Sequence, residues 1–210
     1  MTLIKICGLT EPATLGAAIG GGASHVGFVA FPPSPRDLDR DRGAGLAAQV
    51  PDHVRIVGVF VDPDDGTVAR AVEAWRLSAI QLHRTAPVRV AHLRAISRVE
   101  TWAAVAVKTR ADLDGGRAFA GAADRLLYDA KTPDGAALPG GMGLRFDWGL
   151  LDGIRHPLPW GLSGGLDPAN VAEAIRRTAT PLVDVSSGVE DAPGVKNVDK
   201  IAAFLKAARI

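Results

Sequence analysis

Eight short, largely apolar runs recur along this chain, most of them followed by a stretch with helical spacing. They occupy residues 3–7, 26–30, 56–61, 79–82, 104–107, 125–129, 160–163 and 182–185. Near-continuous apolarity over so few residues suits strands covered on both faces. Helical segments are expected at 11–19, 66–77, 87–96 and 110–120, in the stretch opened by Asp167-Pro168, and after Asp199; 147–151 would be a short helix at best. Thr10-Glu11-Pro12 is a helix entry, because proline is tolerated in a first turn. Strand and helix in alternation imply a parallel sheet, since parallel neighbours need a crossover. With 210 residues there are about 26 per unit, the small end for an α/β fold of the (β/α)₈ TIM-barrel type. The expected organisation is one such barrel domain over residues 1–210, with an open doubly wound sheet as the alternative.

Composition removes other classes. Lys and Arg total 24 against 23 Asp and Glu, so no global field favours nucleic acid or an anionic membrane. The single cysteine cannot form an internal disulfide, and no Cys/His cluster has zinc spacing. The uncharged stretch 12–35 is interrupted by Gly20-Gly21-Gly22 and Pro32-Pro33, which disqualifies it as a membrane span. Without a leader-like N-terminus and with a lone thiol, a cytoplasmic location is expected.

In either architecture the site lies beyond the carboxyl ends of the strands. Ser163-Gly164-Gly165 and Ser186-Ser187-Gly188 follow the last two strands. Glycine lets a backbone approach a ligand, and free N–H groups favour an anion, so these loops are a candidate phosphate site; the alternative is tight turns only. Cys7 and Asp129 close strands one and six and can face each other across the mouth as base and acid. Cys7 could equally be a small buried apolar residue, and Asp129 a partner for Lys131 or Lys108. Arg36, in the stiff Pro32-Pro33-Ser34-Pro35-Arg36 loop, suits bidentate recognition of a carboxylate, or is an ordinary surface arginine. His83 could donate to a substrate or merely cap its strand.

Taken together, these motifs resemble the phosphoribosylanthranilate isomerase family of tryptophan biosynthesis. The resemblance runs through Lys5-Ile6-Cys7-Gly8-Leu9-Thr10, Gly27-Phe28-Val29 with Pro33-Ser34-Pro35-Arg36, Val57–Val61, Gln81-Leu82-His83, Leu127–Pro133, Phe146-Asp147-Trp148, Leu162–Asn170 and Val183–Glu190. It implies a (β/α)₈ barrel with no metal or organic cofactor, performing an Amadori rearrangement of phosphoribosylanthranilate. By resemblance Cys7 is the general base, Asp129 the general acid, and Arg36 the carboxylate ligand. His83, Gly164, Gly165, Asp184, Ser187 and Gly188 are the further substrate contacts. The expected partner is that small-molecule substrate, with neither nucleic acid nor membrane, and a monomer is favoured. The chain departs from the common pattern at Gly140–Arg145, where many relatives carry a hydroxyl and a lysine; Arg145 is positioned to restore a cation. The histidine-pathway isomerases, with an aspartate where Cys7 stands and a two-half repeat, are the nearest rival. A barrel that only binds a phosphorylated metabolite is another.

Overall fold

The computed structural model describes residues 2–133, 140–141 and 143–210. Its barrel strands are β1 (Leu3–Cys7), β2 (His25–Ala30), β3 (Arg55–Val61), β4 (Ala79–His83), β5 (Glu100–Val107), β6 (Arg125–Ala130), β7 (Trp160–Leu162) and β8 (Leu182–Val185). Each pairs in parallel with its chain neighbour. The ring closes where β1 meets β8, with Leu3 opposite Leu182 and Ile6 opposite Val185. The open sheet is thereby excluded.

The crossovers carry α1 (Pro12–Gly20), α2 (Arg40–Ala47), α3 (Asp65–Ala74), α4 (Pro87–Ser97), α5 (Arg110–Asp114) and α6 (Val171–Thr178). After β8 a small antiparallel hairpin, β9 (Glu190–Ala192) and β10 (Val195–Lys196), precedes α7 (Val198–Ala207). Chain periodicity misses α2, whose segment is rich in Arg, Asp and Gly; its start is set instead by Asp39, which accepts a bond from the Arg42 amide. The helix expected over 110–120 breaks after Asp114 into a 3₁₀ turn, Gly115–Phe119, at a glycine pair that disfavours α-helix. Between β6 and β7 the described residues hold no α-helix, only the 3₁₀ turn Trp148–Leu151. No helix among the described residues is long and apolar enough to cross a membrane.

Side chains alternate along each strand. Ile4, Ile6, Val26, Phe28, Leu126 and Tyr128 belong to the large apolar shell shared with the helices. Val57, Ala79, Trp102, Leu127 and Leu182 form a separate cluster of fully buried residues that closes the amino-terminal end of the barrel interior. Above it the interior turns polar. That change of chemistry along the axis is what positions the site.

Candidate active site

A cleft opens at the carboxyl ends of the strands, lined by residues from around the ring. Cys7, Arg36, His83, Asp129, Gly164, Gly165, Asp184 and Ser187 all line it. Gly188 does not. A Cβ there would lie 1.9 Å from the Leu166 carbonyl oxygen, so Gly188 marks where the loops after β7 and β8 press together.

Cys7 ends β1 opposite Gly27 of β2, and a Cβ on Gly27 would come within 2.8 Å of the sulfur. The glycine makes the room the thiol needs. Burial pushes the Cys7 thiol up, while the Lys5 ammonium works against that shift. Lys5 is fully buried and donates to Asp184 at 3.0 Å. Burial pulls the lysine down, yet Asp184 and Cys7 outweigh it and the net shift is upward. Sequence reasoning left Lys5 without a role. The signal was available: two residues before Cys7 on the same strand is the same, inward face.

Across the barrel, burial pushes Asp129 up to about 7, and the Asp184 carboxylate adds to the effect. Ser163 lines the same cleft, and its hydroxyl lies 3.5 Å from Asp184 Oδ2. The alternative partners are elsewhere: Lys131 faces Asp112 at 3.9 Å, and Lys108 is exposed.

Arg36 is buried rather than on the surface. Its Nε and one Nη donate to the two oxygens of Glu190, each at 2.7 Å, and the same Nη reaches the Gly141 carbonyl at 3.1 Å. The second Nη has no hydrogen-bond partner among the described residues and lies beside Gly141 at the cleft. Glu190 also binds Lys196, which in turn donates to the Ser186 carbonyl at 3.1 Å and hydroxyl at 3.2 Å. Burial alone would raise the Glu190 carboxyl; Arg36 and Lys196 hold it below its ordinary value. Glu190 appeared in a sequence motif without a role, and Lys196, on the short hairpin, left no sequence signal at all.

Gln81 and His83 share the inward face of β4. The Gln81 amide nitrogen donates to His83 Nε2 at 2.8 Å, and Gln81 Oε1 is buried without a partner among the described residues. Burial, aided by the charge of Lys5, lowers His83 to about 4, so the imidazole is neutral at physiological pH.

In the loop after β7, Gly164 and Gly165 adopt φ of +85° and +61°, and a Cβ on Gly164 would sit 2.5 Å from the Ala130 nitrogen. Among the described residues no hydrogen bond takes the amide N–H groups of Gly164, Gly165 or Leu166. Unpaired donors in such a turn favour an anion. The helix entry expected at Asp167-Pro168 is displaced, because α6 starts only at Val171. Asp167 Oδ1 accepts from the amides of Ala169 (2.7 Å) and Asn170 (3.0 Å), which locks the turn and occupies donors a ligand would otherwise use.

The atypical loop lies over this cleft. Gly140 abuts Asp129, Gly141 abuts Arg36, Gly143 neighbours Ser187, and Leu144 abuts Gly165; Met142 lies outside the described residues. Arg145 does not restore a cation to the cleft. It is exposed, with its guanidinium 5.5 Å from the centre of the Trp148 ring.

Comparisons with known proteins agree with this geometry. The family model for N-(5'-phosphoribosyl)anthranilate isomerase matches residues 4–207. The enzyme of that name from Zymomonas mobilis subsp. pomaceae is 51% identical over 208 residues, covering 98% of this chain and 97% of its own. The crystal structure of phosphoribosyl anthranilate isomerase from Thermotoga maritima superimposes with a TM-score of 0.89 at 34% identity, covering 100% and 99% of the two chains. A further crystal structure of a phosphoribosyl anthranilate isomerase, in complex with reduced 1-(o-carboxyphenylamino)-1-deoxyribulose 5-phosphate, gives 0.83 at 32% identity with the same coverage. The chain thus belongs to the N-(5'-phosphoribosyl)anthranilate isomerase family, the aldose–ketose isomerases of tryptophan biosynthesis that convert phosphoribosylanthranilate to 1-(2-carboxyphenylamino)-1-deoxyribulose 5-phosphate.

Proposed function

We propose that this barrel isomerises its substrate by two proton transfers, from Asp129 to the ribose ring oxygen and from the substrate C2 to Cys7. The observation that carries the reading is that Cys7 and Asp129, on strands three places apart in the ring, line one cleft. Protonation of the ring oxygen breaks its bond to C1 and leaves an iminium on the anthranilate nitrogen. The iminium acidifies the C2 proton, which the thiolate removes to give an enolamine; tautomerisation yields the ketone. A carboxyl pushed up to about 7 still holds much of its proton near neutrality, as an acid must.

Arg36 binds the anthranilate carboxylate through the Nη that Glu190 leaves unused. The turn at Gly164–Leu166 and the neighbouring Ser187 receive the phosphate, with Gly188 keeping the two loops in register. His83 and Asp184 contact the opened sugar as neutral donor and acceptor. One copy carries every group in this scheme, so a monomer suffices, and a lone buried thiol suits the reducing cytoplasm.

The test generates phosphoribosylanthranilate in situ and follows loss of its fluorescence. Turnover by the wild type, with losses of about 10²–10⁴-fold in folded Cys7→Ser and Asp129→Asn, supports the assignment. Full activity in either variant removes that residue from its role.

A further inference from the structure

Lys5 is a charged side chain with no exposure at all, yet it is not among the residues lining the cleft. It sits one step beneath the reacting groups. Around it polar groups gather across the barrel: Lys5 shares the inward face of β1 with Cys7, two residues on, and pairs with one Asp184 oxygen at 3.0 Å, while the Ser163 hydroxyl, which lines the cleft with Asp129, lies 3.5 Å from the other Asp184 oxygen. Both charges of that pair act on both reacting groups: at the sulfur the effect of the cation exceeds that of the anion, and at the Asp129 carboxyl the anion exceeds the cation.

A buried ammonium is costly unless paired and hydrogen-bonded, and a hydrophobic pair of similar volume would serve packing as well. We propose that Lys5, held by Asp184, is a positioning residue that sustains the Cys7 thiolate during proton abstraction, while Asp184 itself helps keep the proton on Asp129. This rests on the roles of Cys7 and Asp129 argued above. The proton removed from C2 goes to sulfur, and the one delivered to the ring oxygen comes from Asp129; Lys5 stays charged throughout and contributes no proton.

The charged surroundings are consistent with that direction. Facing Cys7 are Lys5 on its own strand, Asp184 from β8 and Lys196 from β10. His25 of β2 and His83 of β4 also feel Lys5, and both are held near 4, so neither competes as a cation. Arg36 is neutralised by Glu190. Lys5 is thus the cation that opposes burial at the sulfur most strongly.

The sole cysteine makes the test clean, because thiolate absorbance and iodoacetamide alkylation report Cys7 alone. In Lys5→Met the thiol midpoint is expected to move upward by about one pH unit or more, with alkylation at neutral pH slowed about tenfold. The plateau of kcat/KM should fall in parallel, its alkaline limb should move up, and KM should stay within about twofold. Lys5→Arg, which keeps a cation, should recover part of the loss. A merely structural lysine would lower thermal stability and leave the thiol midpoint where it was, and that result in folded Lys5→Met overturns the proposal. Should Lys5→Met fail to fold, the wild type still decides: the Lys5 ¹⁵Nζ resonance must follow the Cys7 titration and cease to do so in Cys7→Ser. A resonance blind to Cys7 is equally fatal. Retained activity in Cys7→Ser would instead remove Cys7 as the base, which separates that failure from this one.

Discussion

Arg36 and Glu190 meet side-on through two bonds of 2.7 Å, and Lys196 shares the Glu190 oxygen that accepts from Arg36 Nε. The glutamate fixes one edge of the guanidinium and turns the other toward the cleft. Glu190→Gln is expected to loosen that edge and leave two buried cations sharing a neutral amide. KM should rise about tenfold with a smaller change in kcat, and thermal unfolding should come several degrees earlier. Steady-state kinetics alongside a melting curve check both.

Burial and the Asp184 carboxylate push Asp129 up to about 7, whereas the Cys7 thiol is pushed up from its own, higher, starting value. The productive form, thiolate with carboxylic acid, therefore has the proton on the group of lower pKa. For such an arrangement kcat/KM climbs with pH to a plateau beginning near 7 and falls only once the thiol range is passed. The two limbs belong to the coupled pair. Asp184→Asn removes a carboxylate that raises both Asp129 and Cys7, so the acid limb and the alkaline limb should both move to lower pH. A pH profile of kcat/KM measures both shifts.

Gly188 has no room for a side chain, since a Cβ would fall 1.9 Å from the Leu166 carbonyl oxygen. Gly188→Ala should part the two loops and weaken competitive inhibition by inorganic phosphate about tenfold. The alkylation rate of Cys7 should be nearly unchanged. Equal loss of both readouts would mean general unfolding rather than a local fault.

His25 is buried below the site, and its ring sits 5.4 Å from that of Trp102. Desolvation, with Arg55, Lys5 and Arg125 contributing, lowers it to about 4. Between pH 6.5 and about 4 the unfolded chain takes up a proton that the folded one refuses, so stability falls as pH falls through this window. The effect is at most about 3 kcal/mol. Urea denaturation of wild type and His25→Asn at pH 7 and pH 5 should show a smaller pH penalty in the variant.

Most of the barrel was legible because its strands are apolar on both faces, a pattern that survives without any partner in view. β5 was read late, from Ala104 instead of Glu100, because Glu100 and Thr101 disguise the start; the strand is betrayed only by Trp102, whose indole N–H finds Glu100 at 2.8 Å. The residues opening onto the cleft were legible by type and place, as strand ends carrying thiol, carboxyl, imidazole and paired glycines. What lay beneath them was not. Lys5 shares the inward face of β1 with Cys7, but which polar group meets it depends on strand register around a closed ring. The Arg36–Glu190–Lys196 cluster joins residues 154 apart in the chain, and no local pattern encodes such a meeting.

The plug of Val57, Ala79, Trp102, Leu127 and Leu182 makes the barrel a vessel with a single door. Reactant must enter, and product depart, by the same route, so the two cannot pass one another. Turnover is then an exchange at one threshold, and accumulated ketone is expected to compete with substrate for the same cleft.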